Sequence, residues 1–332
     1  MPVAKWAEIA DEFQDGLLIG NGASVSVHEG FNYNNLWQKA VNDGLMSSEL
    51  QRIAADLELG CNFELVMRQL WIASLVNEKF DINGAKIHES YDQIRDALIN
   101  VVRDIHCSFN DVLDALTSIG QFCRGFKTVL SLNYDFLPYW AFQRSNAQQH
   151  SHRFKDCFNA GVFAEKWHEY RKPIGQQEAC TLYFYPHGAL HLVNCPEGEQ
   201  KLNALGDGDG LIDVVVDSWR DDECLPLFVS EGDNNAKLRE IKRRDYLSRV
   251  YYEVIPESVE TLAVYGWSLS KEDNHLLKKI GGGNCKKIAI SIHNPSMKDV
   301  TGFMSEKKKL LKSYGIEDVT FFDSESDGCW VY

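Results

Sequence analysis

The sequence predicts an α/β fold, a mainly parallel sheet with a helical insertion, and three observations carry that expectation. A short apolar run, Leu17-Leu18-Ile19, breaks directly into the glycine-rich turn Gly20-Asn21-Gly22-Ala23-Ser24. A buried parallel strand hands over to a helix in that way. From residue 128 onward, strand-like apolar runs alternate with helical patterns, as βαβ units do. Between these two parts, residues 42–126 repeat apolar side chains at helical spacing and offer no convincing strand.

Taken in order, a helix is expected over residues 4–13 and the first strand over 17–19. In the helical stretch, Leu50, Ile53, Ala54 and Leu57 share one face, and Leu65, Met67, Leu70, Trp71 and Leu75 share another. The period continues through Tyr91, Ile94, Leu98, Val101 and Val102, and then Val112, Leu113, Leu116 and Ile119. Further strands are expected at 128–132, 181–185, 211–216, 227–230, 261–265 and 287–292. Helices separate the later ones, near 237–254, 273–279 and 297–313. Residues 203–210 read as a surface loop; they lack the remaining spacing of an EF-hand calcium loop. The expected organisation is a Rossmann-like core over 1–41 and 127–332, with 42–126 as a helical insertion or subdomain.

Composition narrows the function. The formal net charge of −14 repels a phosphate backbone, so no direct nucleic-acid binding is expected. The basic clusters Lys242-Arg243-Arg244 and Lys307-Lys308-Lys309 read as solvated helix faces, or as a local dock for a phosphate or an acidic partner. Nine cysteines occur with irregular spacing and no C-x-x-C pair, which argues against a zinc module and against a disulfide framework. Reduced cysteines in a cytoplasmic protein are the expectation. The N-terminus has no basic-then-apolar leader, and no run reaches the roughly 20 apolar residues that cross a bilayer, so no membrane association is expected.

Five motifs bear on chemistry. Glycines at 20 and 22 let a ligand approach the main chain, and a helix starting there would aim N–H groups at a phosphate. The third glycine of a G-x-G-x-x-G pattern is replaced by Val25, so an ordinary strand-to-helix turn fits equally. Leu132-Asn133-Tyr134-Asp135 follows a buried strand, at the sheet edge where α/β proteins bind ligands, or else forms an Asx turn capping a helix. His187-Gly188 places a histidine at a strand end, where it can serve as a base or be structural; Gly188 argues against an H-x-x-x-H metal pair with His191. Gly266-Trp267-Ser268, followed by Asp273 and His275, and Ile292-His293-Asn294-Pro295 are two further strand ends.

In order and context these motifs resemble the sirtuin superfamily, and within it the sirtuin-like NAD hydrolases of bacterial antiphage defence. Residues 20–24 look like the family's Gly-Ala-Gly-Ala-Ser phosphate loop, with Asn21 in place of Ala. Leu132-Asn133-Tyr134-Asp135 resembles the Thr-x-Asn-Tyr-Asp motif near the nicotinamide ribose, and His187-Gly188 the pair that holds the catalytic histidine. Gly266-Trp267-Ser268 resembles the Gly-Thr-Ser loop, and Ile292-His293-Asn294 is similar to the Ile-Asn after the penultimate strand. Two features of the protein deacylases are missing, the paired zinc cysteines after the histidine and the Gly-Ile-Pro-Asp-Phe-Arg loop, here replaced by residues 26–32.

The resemblance implies cleavage of NAD, as substrate and without a metal, into nicotinamide and ADP-ribose. It implies Asn133 and His187 as catalytic residues. Gly20, Asn21, Gly22, Ala23, Ser24, Asp135, Gly266, Ser268 and Asn294 would bind NAD. It also implies a homo-oligomer and a regulatory partner such as a HerA-type ATPase or an Argonaute-type sensor. A non-hydrolysing sensor of ADP-ribose or nucleotide, a NAD-dependent deacylase, and a structural subunit with a decayed site are the alternatives.

Overall fold

The computed structural model describes the chain apart from residues 1–2, 33–34, 58–61, 149–150, 204–209, 221–223, 230–233 and 297–299. Its strands, in chain order, are β1 (Gly16–Ile19), β2 (Thr128–Ser131), β3 (His152–Lys155), β4 (Phe158–Asn159), β5 (Val162–Phe163) and β6 (Ala179–Phe184). There follow β7 (Gly188–Cys195), β8 (Gly198–Lys201), β9 (Leu225–Phe228), β10 (Thr261–Tyr265), β11 (Lys287–Ile292) and β12 (Asp318–Asp323).

Seven of them form one parallel sheet in the order β12-β11-β10-β1-β2-β6-β3. The expected α/β class with a Rossmann-like parallel sheet is therefore present. The inner strands β1 and β2 are buried at every position, as strands covered on both faces must be, which is why they read as continuous apolar runs. Strand order grows outward from β1 in both directions, to β2 on one side and β10 on the other. The crevice beyond the carboxyl ends at such a reversal is where open α/β sheets take their ligands. Register sets the level of that crevice: Ile19 pairs with both Ser131 and Tyr265, so the turns after β1, β2 and β10 emerge side by side.

Several elements differ from expectation. Residues 211–216 are not a strand but part of the Gly210–Arg220 helix. The β-branched run hid a helical face of Leu211, Val215, Val216 and Trp219, all buried. The 227–230 strand exists as β9, but it lies outside the parallel sheet, in a small antiparallel sheet ordered β8-β7-β9. At the end of that sheet Cys195, the last residue of β7, and Cys224, just before β9, form a disulfide, contrary to the expectation of reduced cysteines throughout. A sequence separation of 29 residues gave no hint that they were neighbours. The loop expected at 203–210 lies largely outside the described residues.

The helical stretch is real and runs from Leu36–Asn42 through Ser48–Asp56, Phe63–Lys79, Ala85–Ile105 and Leu113–Cys123. Its last helix sits against the sheet layer: Phe122 meets Trp6, Tyr265 and Trp330 with ring centroids 5.5, 5.8 and 6.2 Å apart. A buried ion pair, Glu64 with Arg244, ties the Phe63–Lys79 helix to the core. Among the described residues no helix is long and apolar enough to cross a membrane.

Candidate functional site

The turn after β1 is built on close backbone approach. Gly20 N–H donates to Tyr265 O at 2.9 Å and Gly22 N–H to Gly266 O at 2.8 Å. Gly266 has φ +68°, and a Cβ there would stand 2.3 Å from Ala23 N, so only glycine fits. The Asn21–Val25 helix that starts here is short. Gly22 N–H and Ala23 N–H are already bonded to backbone carbonyls, the second to Gly20 O at 3.0 Å. The expected cradle of free N–H groups over 20–24 is thus largely turned inward. Ala23 and Ser24 are buried and lie behind the cavity wall, not on it.

What Ser24 does instead is hold the turn after β2. Its hydroxyl donates to Asp135 Oδ2 at 2.6 Å and accepts from Asn133 Nδ2 at 2.7 Å. Asn133 Nδ2 also donates to Gly20 O at 3.1 Å. Both amide hydrogens of Asn133 are therefore committed, and its Oδ1 is the polar atom left for a ligand. Asp135 Oδ1 accepts from Leu137 N–H at 2.9 Å and so caps the Leu137–Gln148 helix. Burial pushes the Asp135 carboxyl up to about 6 despite the Ser24 bond. From the far side, His106 Nε2 accepts Phe136 N–H at 3.0 Å, so the helical segment braces this turn.

His187 follows β6 in the turn closed by Gly188 N–H to Tyr185 O, 2.9 Å. Gly188 has φ +78° and lies against Leu227 O, which fixes glycine here too. The imidazole is 2% exposed, with Nε2 3.0 Å from His275 Nε2 and 4.0 Å from Asp273 Oδ1. Burial, and next the Lys237 ammonium, hold its pKa well below the usual imidazole value, so it is neutral at pH 7. Asp273 accepts from Lys237 Nζ at 2.8 Å and from Trp267 Nε1 at 3.1 Å. His187, Asp273 and His275 are the one set of three such groups among the described residues close enough to share a cation. A cation there would compete with Lys237 for the carboxylate.

These groups line one cavity of about 400 Å³: Gly20, Asn21, Gly22, Asn133 and Asp135 from the first two turns, with His187, Lys237, Gly266, Trp267, Ser268 and Asp273. Asn35 and Leu36, where the helical stretch begins, complete the wall. A second lobe of about 410 Å³ shares Gly22, Gly266, Trp267 and Ser268 and extends to Ser291, His293 and Tyr332. Both volumes lie in the ~300–1,000 Å³ range of ligand sites. Asn294 lines neither lobe; its neighbour His293 does.

The structure thus brings Gly20, Asn21, Gly22, Asn133, Asp135, His187, Gly266 and Ser268 to one site and leaves Ala23, Ser24 and Asn294 off its surface. Lys237 is the one Lys or Arg on either lobe among the described residues, and no sequence signal marked it. It sits in the Asn234–Arg243 helix, whose pattern reads only as amphipathic.

A family model described as a domain of unknown function (DUF4917) matches residues 17–330, and the chain belongs to that family. No curated protein matches the chain.

Proposed function

We propose that this member of the DUF4917 family hydrolyses NAD at the bond between nicotinamide and ribose, releasing nicotinamide and ADP-ribose. The observation that carries the reading is the convergence of Asn133 and His187 on one cavity at the carboxyl edge of a parallel sheet. Nicotinamide leaves as a neutral ring from a pyridinium, so the reaction needs no strong acid. It needs an oriented ribose, support for the positive charge that grows on it, and a base for water.

The cavity offers each. Asn133 is held from two sides and presents Oδ1 to orient a ribose hydroxyl or the attacking water. Asp273, kept ionised against the cost of burial by the Lys237 ammonium and the Trp267 N–H, supplies negative charge near the developing cation. His187, neutral, is the base. The second lobe, reached past Gly22, Gly266 and Ser268, takes the rest of the dinucleotide. Action in antiphage defence and regulation by a partner protein belong to the same reading.

The homo-oligomer is part of this proposal too. Ile72, Leu75, Val76, Phe80 and Ile82 stay exposed on one helix and the turn after it, a cluster that suits a subunit contact. Light scattering across protein concentration tests it: a rise in mass supports assembly, and a monomer at every concentration contradicts it. For the reaction, purified protein is incubated with NAD and the products are separated by chromatography. Nicotinamide and ADP-ribose in equal amounts are expected. Binding without turnover, seen by calorimetry, would overturn hydrolysis in favour of a sensor.

A further inference from the structure

We propose that Asn234 and His275 are positioning residues that fix the tautomer of His187, so that its Nδ1 is the basic nitrogen facing the cavity. The proposal deepens the hydrolase reading and rests on it for its catalytic meaning. Its geometry stands independently.

The fixed point is Asn234, the first residue of its helix. Its Oδ1 accepts the backbone N–H of His275 at 2.5 Å. A backbone N–H can only donate, so the amide is oriented with oxygen on that side. The same Oδ1 lies 3.1 Å from His275 Nδ1, which must therefore carry a hydrogen. Burial holds the His275 pKa near 4, so the ring is neutral at pH 7 and carries one proton only. Its Nε2 is then a lone pair. That lone pair stands 3.0 Å from His187 Nε2, which must be the donor. His187 is neutral as well, so its one ring proton is on Nε2 and Nδ1 is left basic. Nδ1 has no protein partner among the described residues, and His187 lines the cavity.

The backbone of His275 is held as well. Tyr251 hydroxyl donates to His275 O at 2.9 Å, and the two imidazoles lie with centroids 5.2 Å apart. A base oriented by a third group is the general logic of catalytic triads. Here a histidine backed by an amide replaces the usual carboxylate. Asp273, 4.0 Å from His187 Nε2, is placed to face the imidazolium once it forms. In the step, water gives a proton to His187 Nδ1 and its oxygen bonds to the ribose carbon. The bond to nicotinamide breaks with its electron pair on the ring nitrogen, and the imidazolium later returns its proton to solvent.

The test is nitrogen-15 NMR of protein labelled at its 10 histidines, with His187→Gln and His275→Gln each removing one ring for assignment. At pH 7, His187 is expected protonated on Nε2 and bare on Nδ1, and His275 the reverse. A His187 protonated on Nδ1, or doubly protonated, overturns the proposal with no variant needed. Asn234→Ala is expected to release the tautomer of His275 and to lower kcat about 10-fold to 100-fold, with KM for NAD within about threefold. Asn234→Asp, which keeps an acceptor, should recover most of kcat. Equal losses in both variants with the His187 tautomer unchanged would make Asn234 merely structural and overturn the relay. The predicted tautomers in a protein that binds NAD but releases no nicotinamide would uphold the hydrogen-bond order and remove the hydrolase reading instead.

Discussion

Asn133 shows how a single side chain joins two strand ends. Its amide hydrogens go to Gly20 O and Ser24 Oγ, and Ser24 passes the connection to Asp135. Asn133→Ala leaves those acceptors with fewer donors and removes the oxygen that the proposed function assigns to the ribose. The expected outcome is a fall in kcat of about 100-fold or more with NAD affinity changed far less, because an orienting group acts mainly in the transition state. Kinetics beside calorimetry check it; loss of binding outright would make Asn133 a binding residue. The sequence disclosed Asn133, Asp135 and His187 because polar residues straight after apolar strands are conspicuous. It did not disclose Lys237 or Asn234, whose helix reads as an ordinary amphipathic one; only the folded chain carries that helix to the cavity. Nor could it show that Ala23 and Ser24 face inward, since that depends on how closely Gly22 approaches Gly266.

The elements are held to one another by a few buried polar contacts. Glu64 and Arg244 are both buried and paired across the helical stretch and the core, and burial lifts the Glu64 carboxyl to about 7 even beside the guanidinium. Arg244→Ala strands a buried carboxyl and should cost about 3–5 kcal/mol, whereas Glu64→Leu combined with Arg244→Met should cost much less. Urea unfolding of the two variants decides; equal losses would mean that the pair is not what joins these elements. At the sheet edge, Gly266→Ala puts a methyl group on Ala23 N and forces a positive φ on alanine. It should lower the melting temperature and displace the turn after β1, which under the proposed function weakens NAD binding. Unchanged stability and binding would contradict the packing described. The basic run at 242–244, expected to be a solvated face, supplies the buried Arg244, because a long side chain at a helix end can turn back into the core. Strands β3, β4, β5, β7, β8 and β12 escaped the sequence reading as well. β3 is an edge strand of polar-apolar mixture, while β7 contains a histidine and an asparagine among its apolar residues. The 211–216 run misled because β-branched residues in a helix look like a strand.

For the whole molecule, pH dependence of stability follows from four buried imidazoles and one half-buried, His152. His106, His152, His187, His191 and His275 all have pKa values lowered by burial, to about 4 for His106, His152 and His275. The unfolded chain protonates them near 6.5 and the folded chain does not, so stability is present above 6.5 and is lost as pH falls. Glu64, Asp135 and Glu199 are raised by burial and oppose this, since the folded state holds their protons longer. The histidines outnumber them, and Asp15 and Asp273, held low by their lysine partners, add to the loss further down. The melting temperature should fall between pH 6.5 and pH 5, with net loss on the order of 2 kcal/mol per pH unit. A flat or rising profile over that range would mean the histidines titrate normally. The overall fold was the most legible level, because buried parallel strands and glycine turns announce themselves in order. The central claim, that the cavity joining Asn133 and His187 cleaves NAD, is tested most directly by nicotinamide release from wild type and His187→Ala at saturating NAD. Loss of a general base predicts a fall of about 100-fold to 10,000-fold with the fold intact by circular dichroism. A variant that turns over within about threefold of wild type would contradict the account.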